Sequence, residues 1–110
     1  LQTPWPKLLR LRTAFASAVE AASDRTEALH AELLPLLQDT SPAPDAMLPD
    51  TGVGLETERF LSSPFIVGSD YGTRATTIVT VDAQGEVRVT EQSWGPNAQT
   101  LEKRQFSWQR

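Results

Sequence analysis

Arg74 ends the segment Tyr71-Gly72-Thr73-Arg74 and stands where a loop becomes the strongest strand signal in the chain. A guanidinium placed there has its backbone fixed by a sheet while its head stays free to meet an anion or a carbonyl. The plainer reading, an exposed or ion-paired arginine at a strand end, fits the same spacing. Glu56 and Glu58, two positions apart, are the nearest thing to an acid/base pair, but on one turn of a short exposed helix they read as solvated charges. His30 is the sole histidine. It falls one position past Leu29, towards the edge of an apolar stripe, and reads as a partly exposed bystander.

What the 110 residues lack excludes much chemistry. Cysteine is absent, which removes disulfides, thiolate metal sites and a cysteine nucleophile from this chain. One histidine gives a Ser-His-Asp triad or a multi-histidine metal site little to draw on. Gly52-Val53-Gly54 has neither the further glycine nor the lysine of a phosphate-cradling loop, and neither a Gly-x-Ser-x-Gly elbow nor a usable metal-ligand spacing occurs. The net charge is −4, the isoelectric point is near 4.9, and the ten Lys and Arg are mostly scattered. Nucleic acid and anionic membranes are therefore not expected partners, since phosphate contact needs a basic face. No apolar run approaches the roughly 20 residues that span a bilayer, and no signal-peptide pattern opens the chain, so a cytoplasmic location is expected. The residues alone specify no reaction and call for no cofactor.

The elements that must position Arg74 are legible. Thr76 to Val81 is an unbroken β-branched run, the side chains that best fit a pleated sheet. Asp82-Ala83-Gln84-Gly85 follows as a turn and Glu86 to Trp94 as the returning strand, which makes a hairpin. On that strand Val87, Val89, Glu91 and Ser93 share one face and Arg88, Thr90, Gln92 and Trp94 the other; the valines mark the face expected to meet a core. Upstream, Thr3 is a candidate N-cap with Pro4 at the first helical position. Leu8, Leu11, Phe15, Ala18, Val19 and Ala22 then recur at helical spacing, with Trp5 placed to staple the entry. A second helix, capped by Asp24 or Thr26, buries Leu29, Leu33, Leu36 and Leu37 and ends near Pro35. Residues 39–54 form a proline-punctuated loop held by Met47, Leu48, Val53 and Leu55. The boundaries expected are helices over about 3–38, a short helix at 55–62, and strands at 65–67, 74–81, 87–94 and 105–109, all in one domain. Two helices followed by four antiparallel strands make an α+β layer architecture.

Four blocks in order, Thr3-Pro4-Trp5-Pro6-Lys7, Pro42-Ala43-Pro44-Asp45, Leu48-Pro49-Asp50-Thr51-Gly52-Val53-Gly54 and Tyr71-Gly72-Thr73-Arg74, resemble the C-terminal half of the NRDE proteins, also called the transport and Golgi organisation family. The hairpin with Asp82, Gly85 and Glu91 continues the likeness. The resemblance implies an N-terminal-nucleophile hydrolase-like αββα sandwich, in which a cysteine after the initiator methionine and an Asn-Arg-Asp-Glu segment belong to the N-terminal half. An N-terminal cysteine can attack a carbonyl with its own α-amine as base, which implies amide-bond hydrolysis by the complete protein. Tyr71, Thr73 and Arg74 would then be substrate-binding, Arg74 on a carboxylate and Thr73 on a carbonyl or on Arg74 itself. Where the family often has Ser or Cys after Gly-Thr-Arg this chain has Ala75, so no catalytic residue is placed there.

The chain opens on Leu1 and reads as part of a longer protein, partnered by its own N-terminal half or by a second copy that covers open sheet edges. The alternative reading is a non-catalytic carrier of haem or a lipid or acyl ligand, for which His30, Met47 and Tyr71 are the only candidate axial ligands. A third is an interaction module whose apolar helix face docks on a partner.

Overall fold

The β-branched run with Ala75 before it forms strand β1 (Ala75–Val81), and β2 (Glu86–Trp94) returns beside it antiparallel. Asp82 builds the turn between them. Its Oδ1 accepts the backbone N–H of Gln84 and of Glu86, each at 2.9 Å, and Gly85 takes φ +85°, a conformation that costs glycine nothing. Strand β3 (Thr100–Gln109) pairs antiparallel with the other side of β2, giving the order β1-β2-β3. The computed structural model describes residues 5–22 and 25–110. Among them the architecture is α+β, three helices and one three-stranded antiparallel sheet.

Helices α1 (Pro6–Ala22) and α2 (Thr26–Leu36) pack on each other, and α2 lies on β1. Ala22, Leu29, Leu33 and Ile78 form the buried cluster, with Ala18, Leu34, Leu36 and Leu37 against it. Leu33 is fully buried, so truncating it to alanine should cost roughly 2–5 kcal/mol. Pro35 sits in the last turn of α2, and the chain leaves the helix through a bond from the Leu37 N–H to the Leu33 carbonyl at 3.1 Å. The expected caps Thr3 and Asp24 lie outside the described residues; Thr26 is the first residue of α2 rather than its cap, and Arg25 at the cap position makes no side-chain cap bond.

Several expectations need correction. Residues 65–67 are not a strand: Phe65 donates its N–H to the Asp39 carbonyl, and Ile66 exchanges bonds with Thr73, so the segment is tied to loops and not to a ladder. The last strand begins at Thr100, five residues earlier than 105, because Trp94 pairs with Thr100 across a register shift. The apolar stripe of α1 is only partly covered, with Leu8, Phe15 and Val19 exposed. In the long loop, Met47, Val53 and Leu55 are exposed, and the buried anchor is Ala43, whose N–H donates to Ser62 Oγ at 2.9 Å.

The larger correction concerns the sheet. The helices cover the face that carries Thr76, Ile78 and Thr80 on β1 and Arg88, Thr90, Gln92 and Trp94 on β2, not the valine face. This face is buried despite its polar residues because their polar atoms are paired inside it. Trp94 donates its indole N–H to Thr76 Oγ1 at 3.0 Å and meets Phe65 edge-on at 4.9 Å. Thr80 and Thr90 bond to His30, which is 3 % exposed and no bystander. Arg88 Nε, beside them, is sealed without a partner among the described residues. The opposite face carries two cross-strand rows, Val79–Val89–Phe106 and Val81–Val87–Trp108. It is open at its margins, with Val79 59 % and Trp108 51 % exposed, while Val87 in the middle strand is buried at 6 % between its cross-strand neighbours.

Candidate functional site

The blocks that are far apart in sequence meet around one cleft. Helix α1 brings Trp5, Pro6 and Lys7 to its mouth, the long loop brings Ala43, Leu48, Pro49 and Thr51, and α3 (Leu55–Phe60) with the turn after it brings Glu58, Leu61 and Ser62. Ile66 and Tyr71 close the far wall. The cleft holds about 190 Å³, of the order of a cavity of about 150 Å³ that takes one benzene ring. Its walls are mostly apolar, with Lys7 and Glu58 as the charged groups and Thr51, Ser62 and Tyr71 as the hydroxyl-bearing ones. That composition, an apolar body with a few placed polar groups, is what small-molecule sites share.

Glu58 organises the floor. It is 7 % exposed, and its Oε2 accepts the Thr51 backbone N–H and the Thr51 hydroxyl, at 2.6 and 2.9 Å. The loop can fold back to reach it because Gly52 and Gly54 take φ +90° and +92°, values that side chains disfavour. Gly54 also starts α3, its carbonyl accepting the Glu58 N–H at 2.9 Å. Outside the cleft a two-bond pair from Arg59 to Asp45, at 2.9 and 2.7 Å, ties α3 to the loop. Those hydrogen bonds hold the Asp45 carboxyl below its usual range. At the mouth, Lys7 donates to the Leu61 carbonyl at 2.8 Å, and its ammonium lies 5.8 Å from the centre of the Trp5 ring. Trp5 is therefore a cleft wall and not only a helix staple.

Of the three expected substrate-binding residues, Tyr71, Thr73 and Arg74, Tyr71 alone lines the cleft. It is 62 % exposed, with its ring 6.4 Å from that of Phe60. Thr73 lies behind it: its hydroxyl accepts the Ile66 N–H at 3.0 Å and its own N–H donates to the Ile66 carbonyl, which fixes the loop that carries Tyr71. Gly72 permits that closeness, since a Cβ there would stand 2.8 Å from the Ile66 oxygen. Arg74 is exposed at the entry to β1, away from the cleft lining, and its carbonyl accepts the Trp94 N–H at 2.7 Å. Glu56 is a solvated charge as expected, but Glu58 is not. Its helical spacing with Leu61 and Ser62 sets it on the inward side of α3, but the Thr51 loop that makes its burial possible leaves no such signal.

His30 offers no free ring nitrogen. Nδ1 is 2.8 Å from Thr90 Oγ1 and Nε2 is 2.8 Å from Thr80 Oγ1. Burial, then the nearby Arg88 charge, push its pKa below the ordinary histidine value. No group of three or more potential metal ligands occurs among the described residues, and no described helix is long and apolar enough to cross a membrane.

Comparison with known proteins agrees with the blocks that line this cleft. The family described as Transport and Golgi organisation 2 matches residues 1–96, which stops short of β3. The bovine (Bos taurus) Transport and Golgi organization protein 2 homolog is 38 % identical over 101 residues, covering 84 % of this chain and 35 % of its own length. The human (Homo sapiens) protein of the same name is also 38 % identical over 101 residues, and the mouse (Mus musculus) Transport and Golgi organization 2 homolog 34 %, both with the same coverage. The chain thus spans 35 % of the length of these relatives. With residues 1–96 matched by the family and relatives 34–38 % identical over 101 residues, the chain belongs to the Transport and Golgi organisation 2 family, for which NRDE is another name.

Proposed function

We propose that this chain supplies a helix layer, one sheet and a ligand-binding cleft to an N-terminal-nucleophile hydrolase-like domain that cleaves amide bonds. The attacking cysteine would be carried by the part of the family's length that this chain does not span. The observation that carries the reading is the convergence of Trp5, Pro49, Thr51 and Tyr71, from separate sequence blocks, on one mostly apolar cleft. Two further features support it. The open face with the rows Val79–Val89–Phe106 and Val81–Val87–Trp108 is what one sheet of an αββα sandwich presents to the other. Within the chain there is no cysteine, and the one histidine is engaged at both nitrogens, which is consistent with a cysteine nucleophile carried outside this segment.

In this reading Tyr71 borders the bound substrate, Thr73 holds the Tyr71 loop in place, and Arg74 at the strand entry meets a substrate carboxylate. The test is turnover of a panel of small amides by a full-length family protein carrying this segment. Hydrolysis that is lost on alkylation of the N-terminal cysteine and weakened by Tyr71→Ala or Arg74→Ala supports the reading. Tight haem or acyl-chain binding with no amide turnover would replace it with the carrier role. Turnover by the isolated 110 residues would overturn the assignment of the nucleophile.

A further inference from the structure

We propose that the cleft selects ligands bearing a primary ammonium group, with Glu58 as its counter-ion and the ring of Tyr71 and the side of Trp5 enclosing the apolar part. The inference rests on the cleft being a ligand site and adds the chemical class of the ligand. It begins from an imbalance. Glu58 is 7 % exposed and lies in no ion pair among the described residues. Buried carboxylates are ordinarily paired with a cation or fully hydrogen-bonded. Here Oε2 is satisfied twice by Thr51, while Oε1 accepts from none of the described residues. The only sealed and unpartnered side-chain nitrogen or oxygen among those residues is Arg88 Nε, so Oε1 keeps some exposure, and Glu58 lines both the cleft and the groove on its other flank.

The surroundings favour a cation over an anion at that oxygen. Thr51 fixes the carboxylate from one side, which spares a ligand the cost of ordering it. Asp50 stands on the other flank of Glu58, in a shallow groove beyond the cleft, and adds negative potential, while Asp45 beside it is paired with Arg59. Lys7 is the cation on the cleft wall, and it is turned to the Leu61 carbonyl and the Trp5 ring. The volume, about 190 Å³, admits one ring with a short arm. A charged hydrogen bond from an ammonium to a pre-positioned, half-desolvated carboxylate is stronger than one between neutral groups.

Three ligands with the same ring and reach test this: 2-phenylethylamine, 2-phenylethanol and 3-phenylpropionate, titrated against the full chain while the Trp5 indole N–H is followed by NMR. The amine should bind about tenfold tighter than the alcohol, and the carboxylate weakest. Glu58→Gln keeps an oxygen for Thr51 and should bring the amine level with the alcohol. Should that variant fail to fold, the order of the three ligands on the unaltered chain still decides. A carboxylate that binds as well as the amine, or an amine preference that survives in Glu58→Gln, overturns the ammonium assignment while leaving the cleft as a ligand site. Absence of any Trp5 response to all three overturns both.

Discussion

His30 Nδ1 and Thr90 Oγ1 stand 2.8 Å apart, and through this contact helix α2 is fastened to the middle strand of the sheet. The other ring nitrogen makes an equally short contact with Thr80 on β1, so a single imidazole bridges one helix and two strands. Neutral imidazole has one donor and one acceptor nitrogen, and a threonine hydroxyl can answer either. The pair of hydroxyls therefore satisfies the neutral ring completely. This is how a face that carries Thr80, Arg88 and Thr90 comes to be the buried one.

The bridge makes stability pH-dependent in a defined direction. Burial and Arg88, the charged group acting on the ring, lower the folded-state pKa of His30 below 6.5. The unfolded chain thus takes up a proton first as pH falls. The stabilisation is fully present above about pH 6.5, declines as pH drops from there through the folded value, and changes no further below it. Urea midpoints measured between pH 8 and pH 5 should fall for the native chain and stay flat for His30→Gln over the same range. His30 is the only histidine, and Asp39 and Asp45, whose pKa values are lowered, titrate well below this window. Parallel slopes for the two proteins would show that the ring is not the titrating group.

Thr90→Val keeps the volume and removes the hydroxyl. Thr90 is 1 % exposed, so water cannot replace the lost partner, and an unpaired buried nitrogen costs about 1–3 kcal/mol. The matched control is Thr77→Val on the exposed face, where the hydroxyl donates to Glu91 at 3.2 Å; there the change should stay within about 0.5 kcal/mol. Chemical denaturation of both variants gives the comparison, and equal effects would mean that the His30 bridge contributes little.

Sequence reading placed the hairpin, both long helices and the end of α2 at Pro35 because each follows from local chemistry: a β-branched run, an Asp-Gly turn, helical spacing, a proline. It found Val87, which is buried, but missed that the helices cover the other face of the sheet, since Thr90 does not look like core. The partner that makes Thr90 buriable, His30, lies on another element and is invisible to periodicity. Glu58 was missed for a related reason. Its inward placement depends on Thr51 folding back over two positive-φ glycines, a loop path that no spacing rule predicts. Tyr71, Thr73 and Arg74 stand together in one distinctive block, but the fold separates them: Tyr71 lines the cleft, Thr73 ties its loop to Ile66, and Arg74 sits at the strand entry.

Gly54→Ala probes that loop path. An added Cβ would meet nothing within 4 Å, so no clash arises. The backbone, however, sits at φ 92° and ψ 155°, a region that is almost exclusive to glycine and strains other residues by about 1–3 kcal/mol. The substitution should lower stability by that order and, in hydrogen exchange, expose the Thr51 amide that Glu58 now protects. Amides of β2 should keep their protection. A variant as stable as the native chain would show that the loop has an alternative path of equal energy.

The open valine face makes the last prediction. Val79, Phe106 and Trp108 are each more than half exposed, and they line up with Val81, Val87 and Val89 in two adjacent cross-strand rows. Scattered apolar residues on a surface need no explanation, but a contiguous sheet face of this kind marks a contact surface. Without a covering layer, the chain should self-associate through it, so that sedimentation shifts to heavier species as concentration rises. Val79→Lys with Phe106→Lys places charges in the middle of one row, and burying them in a contact would cost far more than the contact returns. The double variant should sediment as a monomer with an unchanged circular dichroism spectrum, because both side chains are more than half exposed. Association that persists in this variant would place the contact on the free edges of β1 and β3, whose unpaired backbone groups are the other available surface. A native chain that stays monomeric at high concentration would remove the face from consideration altogether.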